Sequence, residues 1–291
     1  AAPETATTIA QTAGLDSRYV QEWLGIMISA GVVEVVAAGG ELEYFLPPEH
    51  AACLTRNSGN ANLGVYTQEI PLLTQCALEA VLAGFKTGDG VAYSCYPRFQ
   101  AFMTELSNAK HTQVLVDRFL PEIDDGRLVD WLKKGVKVCD LGCGEGIAAL
   151  LMARAFPASE FIGLDISAEV VDLAQAQADR EGLKNLRYLV RDAARLAQTD
   201  EFKDYFDYVV AFDSIHDQTK PQEALESVRN ILRPGGVFSM IDIAAETSQA
   251  DNLSHPMGPF LYTVSLMHCL PVGLVGRGAG LGMMWGRKKA V

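Results

Sequence analysis

Two groups of side chains in this chain can do chemistry. The first is Asp140-Leu141-Gly142-Cys143-Gly144-Glu145-Gly146, an acid followed by glycines at every second position. Only glycine lets the main chain turn this tightly and lets a ligand lie against bare backbone. The apolar stretch 147–156 reads as a helix, and the unpaired N–H groups of its first turn face whatever occupies the glycine loop. This is the pattern of a nucleotide-type site. The second group is His216-Asp217, which follows Phe212-Asp213-Ser214-Ile215. A histidine takes up or releases a proton near neutral pH, and an acid beside it can orient the ring or favour its charged form. The plainer reading makes His216 a polar residue flanking a helix, with Asp217 capping the following turn.

Spacing narrows the first site. The dinucleotide fingerprint is G-x-G-x-x-G, with a pyrophosphate over the helix N-terminus. Here the glycines run G-x-G-x-G, with an acid two residues before the first. Such a carboxylate would repel a pyrophosphate but attract the ammonium of an amino-acid moiety. S-adenosylmethionine carries that ammonium and no phosphate. Asp165 closes the next apolar run, 160–164, and stands 23 residues after Gly142. An acid at that place accepts hydrogen bonds from a ribose diol.

The elements needed to hold these residues follow in order. Ser167 caps a helix that reaches Gly182. A third strand over 186–190 leads to Asp192-Ala193, and a fourth spans 205–212. Pro221 begins a helix through 232, a turn occupies 232–236, and a fifth strand spans 237–243. Strands alternating with helices predict right-handed βαβ units and a parallel sheet, an α/β class of fold.

Residues 138–146 closely resemble motif I of the class I S-adenosylmethionine-dependent methyltransferases. The resemblance implies a Rossmann-like sheet holding S-adenosyl-L-methionine on Asp140, Gly142, Cys143, Gly144, Gly146, Asp165, Ile166, Asp192, Ala193 and Phe212. Asp192-Ala193 stand where that family places an acid and a backbone amide near the adenine. The pair His216-Asp217 resembles the one that follows strand four in plant-type small-molecule O-methyltransferases, which implies His216 as general base. Tyr93 and Tyr96, in a loop over 88–97, could meet the sulfonium with their ring faces. They are as readily packing residues of a connecting segment. With Met257 they complete the expected substrate pocket. Over nearly the whole chain, including 49–54 and 256–286, the sequence is similar to winged-helix class I methyltransferases of bacteria and animals whose substrates are unassigned. The class normally adds an antiparallel strand pair after the fifth helix, and its winged-helix relatives begin with further dimerising helices. Neither is legible here, so a polypeptide lacking those flanking parts is expected.

Four segments are expected. Residues 1–56 read as helix, turn, helix and hairpin, a winged helix. Residues 57–130 read as a helical connector and substrate cap, 131–250 as the cofactor domain, and 251–291 as a glycine-rich cover. Winged helices often bind DNA, but this one carries seven acids against Arg18 and Arg56, a net of −5 (2 − 7). A nucleic-acid module shows a basic face, and the whole chain stands at −12. No nucleic-acid partner is therefore expected, and the resemblance to O-methyltransferases implies instead dimerisation in the full-length protein and help in closing the substrate site. The 291 residues, 49% of them hydrophobic, suit one large domain and a smaller one. No apolar run reaches the ~18 residues of a membrane span, no leader is evident, and a cytoplasmic protein is expected. Six cysteines and five histidines show neither disulfide nor metal spacing, so no metal is expected. A small-molecule methyltransferase, acting on oxygen, leads over a cofactor-sensing transcription regulator and a nicotinamide oxidoreductase.

Overall fold

A computed structural model describes residues 2–55, 57–58 and 62–290. The chain divides into two compact units, the second beginning at Thr67. Arg56, the expected end of the winged helix, lies outside the described residues.

In the first unit, β1 (Glu4–Thr5) leads into α1 (Ala6–Ala13), whose first turn is capped by the Thr5 hydroxyl accepting from the Thr8 N–H. Asp16 caps α2 (Ser17–Ser29) by accepting from the N–H groups of Arg18 and Tyr19. β2 (Glu34–Ala38) and β3 (Glu41–Phe45) pair antiparallel, with Ala38 opposite Glu41. The two intervening residues, Gly39 and Gly40, both have positive φ, as the tightest hairpin turns require. β1 adds to β3, and α3 (Pro48–Leu54) follows. Ala6, Ala10, Val20, Leu24 and Val33 form the small core. On α2, Tyr19, Trp23 and Ile26 recur at helical spacing and stay exposed.

The second unit opens with α4 (Glu69–Thr87) and α5 (Pro97–Val114), then α6 (Leu120–Glu122) and α7 (Arg127–Lys134). The sheet follows as β4 (Lys137–Leu141), α8 (Ile147–Ala155), β5 (Glu160–Asp165), α9 (Ala168–Arg180), β6 (Leu186–Val190), β7 (Phe206–Phe212), α10 (Pro221–Ile231) and β8 (Leu232–Ile241). All pairings are parallel, in the order β6-β5-β4-β7-β8. The chain reverses its direction of growth between β4 and β7, and in such sheets ligands sit beyond the carboxyl ends of the strands at that point. The glycine loop and the segment 213–217 both leave the sheet there.

Helices cover both faces. On β4 and β7, Val138, Tyr208 and Val210 pack toward α8 and α9, while Cys139, Val209 and Ala211 pack toward α10. Alternation between two buried faces explains the near-continuous apolar strands. Each valine so removed from water stabilises the fold by about 1.5–3 kcal/mol. The expected turn over 232–236 is instead drawn into β8, where a register shift between Phe206 and Tyr208 of β7 absorbs the extra residues.

The tail also differs from expectation. α11 (Gly258–Val264) continues through a π turn, Ser265–Cys269, into α12 (Leu270–Leu274), and α13 (Arg287–Ala290) ends the described chain. Val264, Met267, Val272, Met284 and Trp285 are buried. The stretch read as a glycine-rich cover is a packed wall: 258–274 is helical, and Met284 and Trp285 beyond it are buried as well. No helix among the described residues is long and apolar enough to cross a membrane.

Candidate active site

The glycine loop is built around one tyrosine. Gly142, Gly144 and Gly146 all have positive φ. A Cβ on Gly146 would lie 2.3 Å from the ring of Tyr188, and one on Gly163 would lie equally close. The Tyr188 hydroxyl donates to the Gly146 carbonyl at 2.6 Å. Glycine is needed at Gly146 and Gly163 because the ring of β6 fills the space from below. Gly144 differs: nothing lies within 4 Å of its missing Cβ, so the loop is open there.

Asp140 does not face that opening. Its carboxylate is 3% exposed and accepts from the Ala149 N–H of α8 at 3.2 Å. Burial, opposed by that hydrogen bond and reinforced by Asp165, raises its pKa to about 7. The acid expected to attract an ammonium is therefore buried beneath the loop, where desolvation favours its neutral form. Asp165 stands at the tip of β5 with one oxygen accepting from the Gly144 N–H and the other from the Ser167 N–H, both at 2.9 Å. It thus ties the glycine loop to β5 while keeping further lone pairs for a ligand. Ile166, next to it, is 70% exposed. Cys143 is half-buried and its N–H donates to Leu164. Asp192 accepts from the Ala194 N–H and pairs with Arg195, and Ala193 is buried behind it. The ring of Phe212 meets His111 edge-on with centroids 4.6 Å apart.

His216 lies in the segment after β7 and is 2% exposed. Its Nδ1 is 2.8 Å from Asp242 Oδ1, and its Nε2 is 3.4 Å from Asp217 Oδ1. A carboxylate can only accept, so Nδ1 carries the proton. Asp242 also accepts from Trp285 Nε1 at 3.1 Å and from the Ile243 N–H at 2.7 Å. The expected orienting acid was Asp217; the one that holds the ring is Asp242. Burial alone would push His216 down, but Asp217, Asp242 and Asp213 outweigh it and raise its pKa to about 9.

A second histidine closes the site. His268 is buried on the π turn, with the rings of Tyr93, Tyr96 and Phe99 at 5.5, 4.8 and 4.4 Å from its own. Burial holds it below the ordinary histidine range, so it is neutral, and its Nε2 has no hydrogen-bond partner. Desolvation of the Tyr93 hydroxyl, then the charges of Asp217 and Asp165, hold that phenol un-ionised. Tyr96 is fully buried and donates to the Met267 carbonyl at 2.8 Å, which makes it a tie for the wall rather than an open pocket surface. Met257 is 48% exposed ahead of α11, and no described side-chain contact joins it to the cluster.

Sequence reasoning missed Asp242, Trp285, His268 and Cys269. Asp242 was hidden inside the expected strand 237–243, whereas β8 ends at Ile241 and leaves it at the strand tip, the place Asp165 holds on β5. The other three come from the tail, and no local spacing marks them.

Residues 132–261 match the family described as methyltransferase domain, and residues 1–56 match the Rv2258c-like winged HTH domain. The chain is similar to the fatty-acid O-methyltransferase of Mycolicibacterium smegmatis, 30% identical over 38% of this chain and 38% of that one. It is also similar to the ubiquinone biosynthesis O-methyltransferase of Acinetobacter baylyi, 30% identical over 37% of this chain and 44% of that one. It thus spans less than half the length of these two curated relatives. Human N-acetylserotonin methyltransferase, solved in complex with SAM, shares the fold with a TM-score of 0.63 at 16% identity, over 95% of this chain and 77% of that one. With its glycine loop and parallel sheet, the chain carries a methyltransferase domain of the class I S-adenosylmethionine-dependent type, preceded by a winged-helix domain.

Proposed function

We propose that this chain methylates a hydroxyl of a small molecule, with His216 as general base. One observation carries the reading: Asp242 holds the Nδ1–H of a buried imidazole, which leaves Nε2 as the proton-accepting atom at the carboxyl end of β7. The site fits the cofactor because the loop is open at Gly144 while Asp165 and the exposed Ile166 flank it. Asp165 would hold the ribose, and Asp192 with Ala193 the adenine side. Gly142, Cys143, Gly144 and Gly146 offer bare backbone between them, and Phe212 closes the inner wall. When bound, S-adenosylmethionine supplies a methyl group made electrophilic by a sulfonium. The chain must align the acceptor oxygen for in-line attack and remove its proton. Nε2 receives that proton, and the carboxylates of Asp242 and Asp217 stabilise the imidazolium that results. Tyr93 and the neutral His268 border the place of the acceptor, so apolar and aromatic acceptors suit it best. Incubation with methyl-labelled cofactor and a panel of phenols and other hydroxyl compounds tests the reading; label found only on amines or thiols would overturn it.

Asp165→Ala should weaken S-adenosylmethionine binding at least about tenfold, since each charge-assisted hydrogen bond contributes roughly 1.5–3 kcal/mol. Calorimetry showing unchanged affinity would remove Asp165 from the cofactor site.

The winged helix serves association between copies, not DNA binding. The face of α2 shows Tyr19, Trp23 and Ile26, an apolar stripe where a DNA reader presents lysine and arginine. No sequence-selective mobility shift with duplex DNA is expected at physiological salt. A salt-dependent, selective shift would favour a transcription regulator instead.

A further inference from the structure

The segment after β7 and the π turn after α11 bring together three donors of different chemistry. The ligating atoms of His216, Asp217 and Cys269 all lie within 4.8 Å of one another. Between His216 Nε2 and Asp217 Oδ1 the distance is 3.4 Å. That is the edge of a tetrahedron whose corners stand about 2.1 Å from its centre, the usual zinc–nitrogen and zinc–oxygen bond length. His216 and Cys269 are buried, and Asp217 Oδ1 is buried without a hydrogen-bond partner. Its nearest positive partner is the His216 ring, so an ion seated between the two would face both donors. Nearby, the Nε2 of the buried His268 is unpaired as well.

The surroundings are those of a metal-ligating imidazole. The second ring nitrogen of such a histidine usually donates to a carboxylate that is itself hydrogen-bonded. His216 Nδ1 meets Asp242, which Trp285 and the Ile243 N–H hold in place. Cys269 closes a π turn, a local widening of the helix often found at functional sites.

We propose that His216 Nε2, Asp217 Oδ1 and Cys269 Sγ bind a divalent cation of the zinc class, with one coordination position left open. A nitrogen, an oxygen and a sulfur donor select a borderline-soft ion over magnesium or calcium, which take oxygen alone. Three protein ligands with an open corner make an exchangeable site rather than a closed structural one. Binding expels the thiol proton of Cys269 and any proton on His216 Nε2, which leave to buffer; nothing is oxidised. The ion uses the same Nε2 lone pair that would accept the proton of an acceptor. Metal and base catalysis therefore exclude each other, and the ion is an inhibitor that a chelator removes. The expectation of no metal rested on linear spacing, whereas the donors come from two distant segments.

Cobalt(II) titrated into the metal-free full-length chain tests this without cofactor or acceptor. The expected result is a near-ultraviolet thiolate-to-cobalt charge-transfer band with visible bands of tetrahedral intensity, saturating at one ion per chain and displaced by zinc. Cys269→Ser should abolish the charge-transfer band, whereas Cys95→Ser, at an exposed cysteine, should keep it. Asp217→Asn, read on the visible bands, should weaken cobalt binding at least about tenfold, and circular dichroism verifies that each variant is folded. A band that survives Cys269→Ser, an affinity unmoved by Asp217→Asn, or no band at millimolar cobalt overturns the site. Failure of the general-base reading would show in methyl transfer and leave the cobalt spectrum untouched.

Discussion

Replacing His216 by Gln is expected to lower turnover by roughly 10²–10⁴-fold, the usual worth of a general base, while cofactor affinity stays close to that of the unaltered chain. Gln keeps hydrogen-bonding capacity and similar size but cannot take a proton. The pH profile gives an independent readout. A base must be neutral to act, and the carboxylates around His216 raise its pKa from 6.5 to about 9. The apparent second-order constant, which reports the free protein, should therefore climb about tenfold per pH unit below 9 and level off above it. Stability runs the other way. The raised pKa favours the folded, protonated form fully below about 6.5, and that contribution is lost as pH climbs through 9. Near-normal turnover in His216→Gln, measured with cofactor bound, would dismiss the base and point to an acceptor that needs no deprotonation.

What could be read beforehand, and what could not, follows from distance along the chain. The glycine loop and Asp165 are local signals: a strand, a turn and a helix written in consecutive residues. The winged helix was legible for the same reason, with helix, turn, helix and hairpin written in consecutive residues. Asp140 shows where local reading stops. Its position in the loop was clear, but whether its carboxylate points up to a ligand or down to Ala149 depends on burial set by α8. The pair His216-Asp217 drew attention as neighbours, yet the ring is held by Asp242, which the parallel sheet brings alongside from the end of β8. His268 and Cys269 arrive only because the tail folds back as a wall. Periodicity was weak there, since glycines interrupt the apolar repeat.

Gly146→Ala should destabilise the second unit by about 2–5 kcal/mol. An L-residue at φ 79° carries roughly 1–2 kcal/mol of left-handed strain. The new methyl would also meet the Tyr188 ring at 2.3 Å, and overpacking of this kind usually costs about 1–3 kcal/mol. The Tyr188 hydroxyl bond to the Gly146 carbonyl would be strained in the same movement. Urea unfolding measures the loss. The double variant with Tyr188→Ala should not restore the starting stability, because the left-handed strain remains and a cavity is added. A loss below about 1 kcal/mol would mean that the ring can step aside and that the loop is softer than its packing implies.

The π turn at Ser265–Cys269 has a consequence for inheritance. A π turn holds one residue more than the regular helix around it, and it can arise or vanish by gain or loss of a single codon. Losing one residue there would restore regular pairing and swing the donors by about 100° relative to the helix beyond. His268 and Cys269 would turn away from His216 although neither had mutated. Descendants of this chain could therefore lose or regain the clustered donors in one step, with the sheet, the glycine loop and the His216–Asp242 pair passed on unchanged.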